Sequence, residues 1–238
     1  MRGCPRSCPW ILLVSAAVAG SASPRSLPAQ PVSPTAPAAG RVAGPPVLLV
    51  PGWGDDATTL QDLQERLFAA GWREEDVLTV SFADPVGSNR EHARELAHAV
   101  LGLKERTGVE RVDVVAHSMG GLSTRYFLLN GGSEHVRRVV FLATPHSGTM
   151  SAYLAWGEGA REMEPGSVFL LGLRRGEPVP RGVRAITIRT PTDLHIVPGS
   201  SATLPGVPNL EVCCPTHAGL LDDEATFQLI QRFLRDER

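Results

Sequence analysis

The sequence predicts an α/β fold, with a mostly parallel sheet of about six strands and helices on both faces. Short apolar runs of strand length alternate along the chain with longer segments whose apolar residues recur at helical spacing. The runs are apolar at successive positions, as at residues 47–50, which is typical of strands buried on both faces of a parallel sheet. Ligands of such sheets bind at the carboxyl ends of the strands, so the residues that follow each strand are the first candidates for function.

Six runs predict the strands. Residues 47–50 form an uninterrupted apolar run that ends at Pro51-Gly52. A third strand precedes Ser118, in the segment that begins at Val112. The other four runs are residues 77–81, 139–143, 183–188 and, as a short last strand, 210–212.

Four segments have the apolar spacing of helices. In residues 57–70 the spacing is carried by Leu60, Leu63 and Leu67, and Gly71 ends the pattern. Because these segments alternate with the strands, the connections can cross over the sheet and keep the strands parallel. The other three helical segments are residues 89–107, 122–130 and 225–234.

Ser118 stands between the third strand and the helix that follows, in the sequence Ala116-His117-Ser118-Met119-Gly120. This is the G-x-S-x-G pattern of a nucleophile elbow, with alanine in place of the first glycine. Such a turn holds its serine in a strained backbone conformation and brings the residues two before and two after it close together, so both must be small. The pattern predicts a nucleophilic serine. The competing interpretation is a serine that only caps the helix.

A nucleophilic serine needs a base and an acid. A serine hydroxyl is activated by a neighbouring histidine, which a carboxylate orients, and in this elbow type the chain order is serine, acid, histidine. His217 follows the last strand and precedes the last helix, which makes it the candidate base. Asp193, after the fifth strand, is the candidate acid. Asp222 and Asp223 follow the histidine and are expected to begin or cap the last helix.

Three other histidines adjoin these residues or follow a predicted strand. His117 adjoins Ser118, and we interpret it as a packing residue beside the turn. His146, which follows the fourth strand, is a candidate lining residue of the substrate site. His195 lies two residues after Asp193.

The loop after the first strand is the expected partner of the elbow in binding an oxyanion. The two donors would be the backbone N–H of Met119, directly after the serine, and that of Trp53. The Trp53 indole would also cover the acyl pocket, although it could equally be an aromatic that covers the surface. Asp55 and Asp56 either hold this loop or are solvated.

Composition indicates one domain with a sizeable core, since the chain has 238 residues of which 42% are hydrophobic. Its formal net charge is −2 and no basic run occurs, so nucleic acid is not an expected partner. Residues 23–45 are rich in proline and alanine and are expected to be an extended leader. Residues 46–238 would then form the folded domain.

The first 22 residues have the outline of a secretory signal peptide. Arg2 and Arg6 precede an apolar run at 10–19, and small residues follow, with cleavage expected near Ala22. An uncleaved anchor is the alternative, but the run is about half the length of the ~20 residues that a membrane-spanning helix needs. The mature protein is therefore expected to be secreted, either to the extracellular space or to the periplasm.

Cys213 and Cys214 are the cysteines that remain after the expected signal peptide. They could form a disulfide in a small ring, remain free thiols, or link to a second molecule. No cluster with metal-ligand spacing is evident in the sequence, so neither a metal nor another cofactor is expected.

With these residues placed, the chain from about 46 to 238 resembles the small secreted bacterial lipases and esterases of the α/β-hydrolase superfamily. The alanine of its elbow is similar to that of the subtilis-type minimal lipases. The segments that carry the resemblance are VPGWG at 50–54, AHSMGG at 116–121, ATPHSGT at 143–149, MEPGS at 163–167, Asp193 with IVP at 196–198, and HAGLL at 217–221.

The resemblance implies an α/β-hydrolase fold with Ser118 as nucleophile and Asp193 and His217 as its partners. It also implies that the N–H groups of Trp53 and Met119 hold the oxyanion. Three features depart from the family pattern. Pro51 stands where a histidine is common, and the adjacent Cys213 and Cys214 next to the histidine loop are unusual. The connection at 149–182 is longer than a minimal one, so it is either a cap over the acyl site or a helix that completes the outer layer.

The expected function is that of a secreted serine carboxylic-ester hydrolase, a lipase or esterase, which cleaves acyl esters of lipids through an acyl-Ser118 intermediate. Trp53 and His146 would bind the substrate, a lipid or another acyl ester. Transient contact with a lipid interface and a monomeric state are expected. An acyltransferase or thioesterase would use the same residues. A non-catalytic lipid-binding or chaperone protein is the alternative from another class, since a fold does not settle function.

Overall fold

The computed structural model of the protein describes residues 44–236. The expected signal peptide, residues 1–22, and nearly all of the expected leader, residues 23–45, lie outside this range. Within the described residues, no helix is both long enough and apolar enough to cross a membrane.

Six strands form one sheet within the described residues, in the order β2-β1-β3-β4-β5-β6. Every neighbouring pair is parallel. The predicted α/β class with a parallel sheet is therefore confirmed, and each of the six expected strands is present. The strands are β1 Val47–Val50, β2 Val77–Thr79, β3 Val112–His117, β4 Val136–Leu142, β5 Arg184–Arg189 and β6 Asn209–Glu211.

β4 begins three residues before its apolar run, at Val136. Because Arg137 and Arg138 are charged, the hydrophobic pattern of the sequence does not indicate this part of the strand. Their guanidinium groups, however, both donate hydrogen bonds to the Leu234 carbonyl oxygen, at 2.9 and 2.8 Å, near the end of the last helix. A tertiary contact thus accommodates two charges that the sequence pattern would place in a loop.

Six α-helices accompany the strands in the described chain. The helix after Ser118 begins at Met119, earlier than the expected residue 122, because the elbow passes directly from strand to helix. Ser88 caps the second helix by accepting a hydrogen bond from the N–H of Arg90, and Asp223 caps the last one in the same way, as expected. The helices are α1 Gln61–Ala69, α2 Asn89–Thr107, α3 Met119–Leu129, α4 Gly157–Met163, α5 Val168–Arg174 and α6 Glu224–Arg235.

The helices cover both faces of the sheet. On one face, apolar side chains of α1 and α6, such as Leu63 and Ile230, pack against β1, β3, β4 and β5. On the other face, side chains of α2 and α3, such as Val100 and Leu128, pack against the same strands. The helix that follows β1 and the helix that follows β3 therefore lie on opposite faces. This reversal opens a crevice at the carboxyl ends of these two neighbouring strands, which is where such sheets bind ligands.

The long connection after β4 packs against the start of α3. Phe169, Leu170 and Leu173 of α5 form a third apolar cluster with Met119 and Leu122. The buried Glu162 of α4 ties the connection to the start of α2 and accepts four hydrogen bonds, from the Ser88 hydroxyl, the Asn89 N–H and amide, and the Arg90 guanidinium. This segment is thus anchored to the domain at both α4 and α5.

Candidate active site

Loops from four strand ends meet above the sheet. Ser118 directly follows β3, Trp53 follows β1, Asp193 follows β5 and His217 follows β6. Ser118, Trp53 and His217 line one cavity, and Asp193 is hydrogen-bonded to His217 behind it. The structure therefore brings together the three residues that the motif and the chain order selected.

Ser118 has the backbone conformation of a strained turn, with φ 51° and ψ −126°. A positive φ is rare for a residue with a side chain and costs roughly 1–3 kcal/mol, so the surrounding structure must hold it. Its N–H donates to the Leu142 carbonyl oxygen at 2.8 Å. A Cβ atom on Gly120 would collide with the Pro51 carbonyl oxygen, and one on Gly121 would collide with the Thr144 side chain. The small residues of the elbow are required by this close packing.

His217 and Asp193 form a buried pair. The distance between His217 Nδ1 and Asp193 Oδ2 is 2.8 Å. The other carboxylate oxygen, Oδ1, accepts the backbone N–H groups of His195 at 2.8 Å and Ile196 at 2.9 Å. Three hydrogen bonds thus fix the carboxylate, and the carboxylate in turn fixes the ring of His217.

These bonds also set the charge of the acid. Burial alone raises the pKa of Asp193, because a low dielectric disfavours a charged carboxylate. The hydrogen bond and charge of His217, together with the two backbone N–H groups, outweigh burial and hold the pKa of Asp193 below its usual value. Asp193 is therefore ionised near neutral pH and accepts the proton on His217 Nδ1, which leaves Nε2 as the basic nitrogen.

The cavity has a volume of about 340 Å³, at the small end of the range for ligand sites. Ser118 and His217 contribute its polar floor. Much of its wall is apolar and comes from Ala152, Ala155 and Met163 of the long connection, with Ile196 from the acid loop. An apolar group that reaches Ser118 would therefore contact mainly carbon atoms.

The expected oxyanion donors, Trp53 and Met119, belong to the cavity wall and to the start of α3. Met119 is the first residue of α3, so its N–H has no acceptor one turn earlier. Trp53 lines the cavity, and its indole Nε1 donates to the Trp156 carbonyl oxygen at 3.1 Å while the two rings meet edge to face. The indole that was expected to cover the pocket is thus locked to the long connection.

His117 and Asp55 also line the cavity, a position that the sequence did not reveal. His117 is buried beside the elbow, as expected of a packing residue, and its ring lies 4.7 Å from that of His217, with Nε2 3.3 Å from the His217 carbonyl oxygen. Burial and the charge of His217 lower the pKa of His117 to about 3, so it is neutral. Burial raises the pKa of Asp55, whose Oδ2 lies 3.9 Å from His117 Nδ1. The signal available for His117 was its position as the last residue before the serine.

Thr149 is a second residue whose role the sequence did not reveal. Its hydroxyl donates to the His195 carbonyl oxygen at 2.7 Å and accepts the Val197 N–H at 2.9 Å. These bonds tie the start of the long connection to the loop that carries Asp193. Thr149 ends the ATPHSGT segment of the resemblance, which is the signal that could have selected it.

The expectation that His146 lines the substrate site is wrong. The ring of His146 is buried against the edge of Phe141 and lines a different cavity, together with Arg125 and Ser147. His146 is not among the residues that line the cavity of Ser118. A strand end places a residue near the correct edge of the sheet, but it does not determine the direction of the side chain.

Cys213 and Cys214 are joined by a disulfide in the structure, in the loop between β6 and His217. Within residues 44–236, no group of three or more His, Cys, Asp and Glu side chains is arranged to hold a metal ion.

Comparisons with known proteins agree with this architecture. The family model described as alpha/beta hydrolase fold matches residues 45–166, about half of the chain. A mature lipase of Bacillus licheniformis is similar with a TM-score of 0.71 at 18% identity, over 82% of this chain and 93% of that one. Lipase B of Aspergillus fumigatus is similar with a TM-score of 0.71 at 22% identity, over 80% and 52% of the two chains. A monoacylglycerol lipase of Paleococcus ferrophilus is similar with a TM-score of 0.61 at 15% identity, over 82% of this chain and 97% of that one. At these identities the likeness to solved structures concerns the fold.

Proposed function

Because the chain belongs to the alpha/beta hydrolase fold family, we propose that it is a serine hydrolase that cleaves carboxylic esters of lipids through an acyl-Ser118 intermediate. One observation carries the proposal. Ser118, in a strained turn, shares a cavity with His217, and His217 is hydrogen-bonded to the ionised Asp193. A strained serine, an oriented histidine and a buried carboxylate are the parts that acyl transfer needs.

The reaction follows from this arrangement. His217 Nε2 takes the proton of the Ser118 hydroxyl as its oxygen attacks the ester carbonyl, and Asp193 stabilises the imidazolium that forms. The N–H groups of Trp53 and Met119 stabilise the negative oxygen of the tetrahedral intermediate. His217 then gives the proton to the leaving alcohol. A water molecule, activated by the same nitrogen, attacks the acyl-serine and releases the carboxylic acid.

The surface around the cavity supports lipid esters as substrates. Nine large hydrophobic side chains are exposed in the described chain, and all except Leu101 lie in the long connection or in the acid loop. These two segments touch, since the N–H of Met150 donates to the Val197 carbonyl oxygen at 2.8 Å, and both also line the cavity. Leu154 is 90% exposed and Trp156 68%. We call these eight exposed side chains the apolar rim. Exposed apolar side chains gathered on two touching segments are typical of a surface that meets a membrane or a lipid aggregate.

The proposal includes a secreted, monomeric protein. Removal of residues 1–22 as a signal peptide would release a chain with a proline- and alanine-rich leader at 23–45 and the catalytic domain at 46–238. N-terminal sequencing of protein recovered from the medium or periplasm tests this part. A chain that begins at Met1 there would contradict cleavage.

The test of the chemistry is hydrolysis of p-nitrophenyl esters of increasing acyl length by the chain from Ser23 onward. Ser118→Ala should lower kcat by at least about 10,000-fold, because the nucleophile is lost. Ser200→Ala removes the same oxygen from an exposed serine outside the cavity and should leave kcat unchanged. A folded Ser118→Ala protein that keeps its activity, or a wild-type protein inactive on every ester, would overturn the proposal.

The test of the lipid surface compares two leucines. Leu154→Ser should lower activity on an emulsified long-chain ester several-fold, with little change on a dissolved short-chain ester, because binding to an interface depends on buried apolar area. Leu101→Ser, on α2 and away from the rim, should change neither. Equal effects of the two variants would argue against interfacial binding by the rim.

A further inference from the structure

Arg125 is a buried cation for which the described part of the chain supplies no anionic partner. It lies on α3, and its side chain is almost completely buried. Its Nε donates to the Pro178 carbonyl oxygen at 3.2 Å and its Nη2 to the Leu173 carbonyl oxygen at 3.3 Å. Among the described residues, no carboxylate forms an ion pair with it. Burial and the nearby charge of Arg174 lower the pKa of Arg125 to about 10. A buried guanidinium normally has a counter-charge, since burying an isolated ion is costly.

His146 lies in the same place and is also incompletely bonded. Both of its ring nitrogens are buried and have no hydrogen-bond partner within the described chain. Burial and the charge of Arg125 hold the pKa of His146 well below its usual value, so the ring is neutral and carries one N–H donor. Buried polar groups without partners are uncommon in native proteins and call for an explanation.

Arg125 and His146 line a cavity of about 380 Å³. Arg174, which is exposed, stands at the same cavity, and no aspartate or glutamate does. The remaining wall is largely apolar and includes Leu173, Leu204 and Pro205. The cavity therefore offers two guanidinium groups to an anion and carbon atoms to the rest of a ligand.

This cavity is separate from that of Ser118. The two have no lining residue in common. Ser118 directly precedes α3 and Arg125 is the seventh residue of that helix, which places their backbones about 10 Å apart along the axis. A ligand here would lie behind the candidate active site, against the middle of α3.

We propose that this cavity is a binding site for a small carboxylate with an apolar tail, such as a short- or medium-chain acyl carboxylate. The carboxylate would accept hydrogen bonds from Arg125 and Arg174, whose planar guanidinium groups match its two oxygens. The tail would lie on the leucine and proline side chains. Inorganic phosphate matches the charge but leaves the apolar wall without a partner, so it should bind more weakly. The site would exist whether or not Ser118 cleaves esters.

The test is binding of octanoate to the full chain carrying Ser118→Ala, measured by calorimetry. In that background, Arg125→Gln and Arg174→Gln should each weaken binding, the buried Arg125 by about tenfold or more. Arg161→Gln, an exposed arginine outside the cavity, is the matched control and should leave the affinity unchanged. Octanol, which has the tail without the charge, should bind much more weakly than octanoate.

The NMR signals of the histidine rings and a second arginine variant distinguish binding in this cavity from other outcomes. The ring resonances of His146 should shift on addition of octanoate, whereas a ligand in the Ser118 cavity would shift those of His217. If Arg125→Gln fails to fold, Arg174→Gln at the exposed mouth still tests the site. No binding of octanoate, equal binding by the arginine variants and the control, or a shift confined to His217 would each overturn the proposal.

Discussion

His217 and His146 are both buried histidines that follow strands of the same parallel sheet, yet their surroundings are opposite. His217 Nδ1 lies 2.8 Å from an ionised carboxylate, that of Asp193. His146 has no hydrogen-bond partner within the described chain, and the charge that it experiences is the guanidinium of Arg125. His217 is therefore oriented by a carboxylate, while His146 is held neutral.

The difference shows what separates the candidate base from another buried histidine of the same fold. Both residues follow a strand, so that position does not distinguish them. The neighbouring charged group does, because a carboxylate stabilises a protonated imidazole ring, whereas burial beside a cation opposes protonation. His117 supports this conclusion. It lies beside His217, but its Nδ1 is 3.9 Å from the nearest carboxylate oxygen, that of Asp55, and its pKa is lowered to about 3.

The largest expected effect comes from removing the partner of His217. Asp193→Asn keeps the shape of the side chain, but its amide is a weaker acceptor and can also donate, so the tautomer of His217 with the proton on Nε2 is favoured. As a result, kcat on a p-nitrophenyl ester should fall about 10,000-fold. Asp222→Asn alters an exposed carboxylate close to the same histidine and should leave kcat unchanged. A loss below tenfold in a folded Asp193→Asn protein would indicate that another carboxylate, with Asp55 the first candidate, orients His217.

An intermediate effect is expected in stability when His146 is replaced. The pKa of His146 is lower in the folded protein than in the unfolded chain. Below about pH 6.5 the unfolded chain therefore binds a proton that the folded protein does not. The free energy of unfolding consequently falls as the pH falls, by up to about 1.4 kcal/mol per pH unit for one histidine. His146→Phe should remove this share of the slope. It should also stabilise the protein by about 1 kcal/mol at pH 7.5, since two unsatisfied ring nitrogens disappear.

Urea unfolding at several pH values between 7.5 and 5 measures both quantities for His146→Phe. His117 contributes to the slope with the same sign, so the variant should flatten the dependence without abolishing it. His98→Gln serves as the comparison for losing an exposed histidine. An unchanged slope in His146→Phe would mean that His146 is bonded and charged in solution, contrary to its surroundings in the structure.

The smallest effect is expected at His195, whose ring lies 4.8 Å from that of His217. His195→Ala keeps the backbone N–H that donates to Asp193 Oδ1, so the acid stays in place. The kcat should fall by less than about tenfold, because no carboxylate among residues 44–236 is bonded to the side chain of His195 to orient it. A loss comparable to that in Asp193→Asn would identify His195 as the base instead of His217.

Much of this arrangement could be predicted from local sequence. The parallel sheet followed from apolar runs that alternate with helical spacing, and the six strands lie where the runs occur. The strained turn at Ser118 followed from its small neighbours, which the packing of Gly120 and Gly121 explains. The choice of Asp193 and His217 rested on chain order, and the structure places them in contact, although their catalytic roles remain a prediction.

The sequence by itself determined the fold class and the turn that presents Ser118. Both depend on local patterns, namely the spacing of apolar residues along the chain and the small, flexible residues on either side of the serine. Only the tertiary structure decided which histidine meets a carboxylate, that His117 enters the cavity, that His146 faces Arg125 instead, and that Thr149 holds the acid loop. These contacts join residues on different loops and helices that are far apart along the chain. Their geometry depends on how whole elements pack. That packing decides whether a buried histidine meets a carboxylate, as His217 does, or a cation, as His146 does.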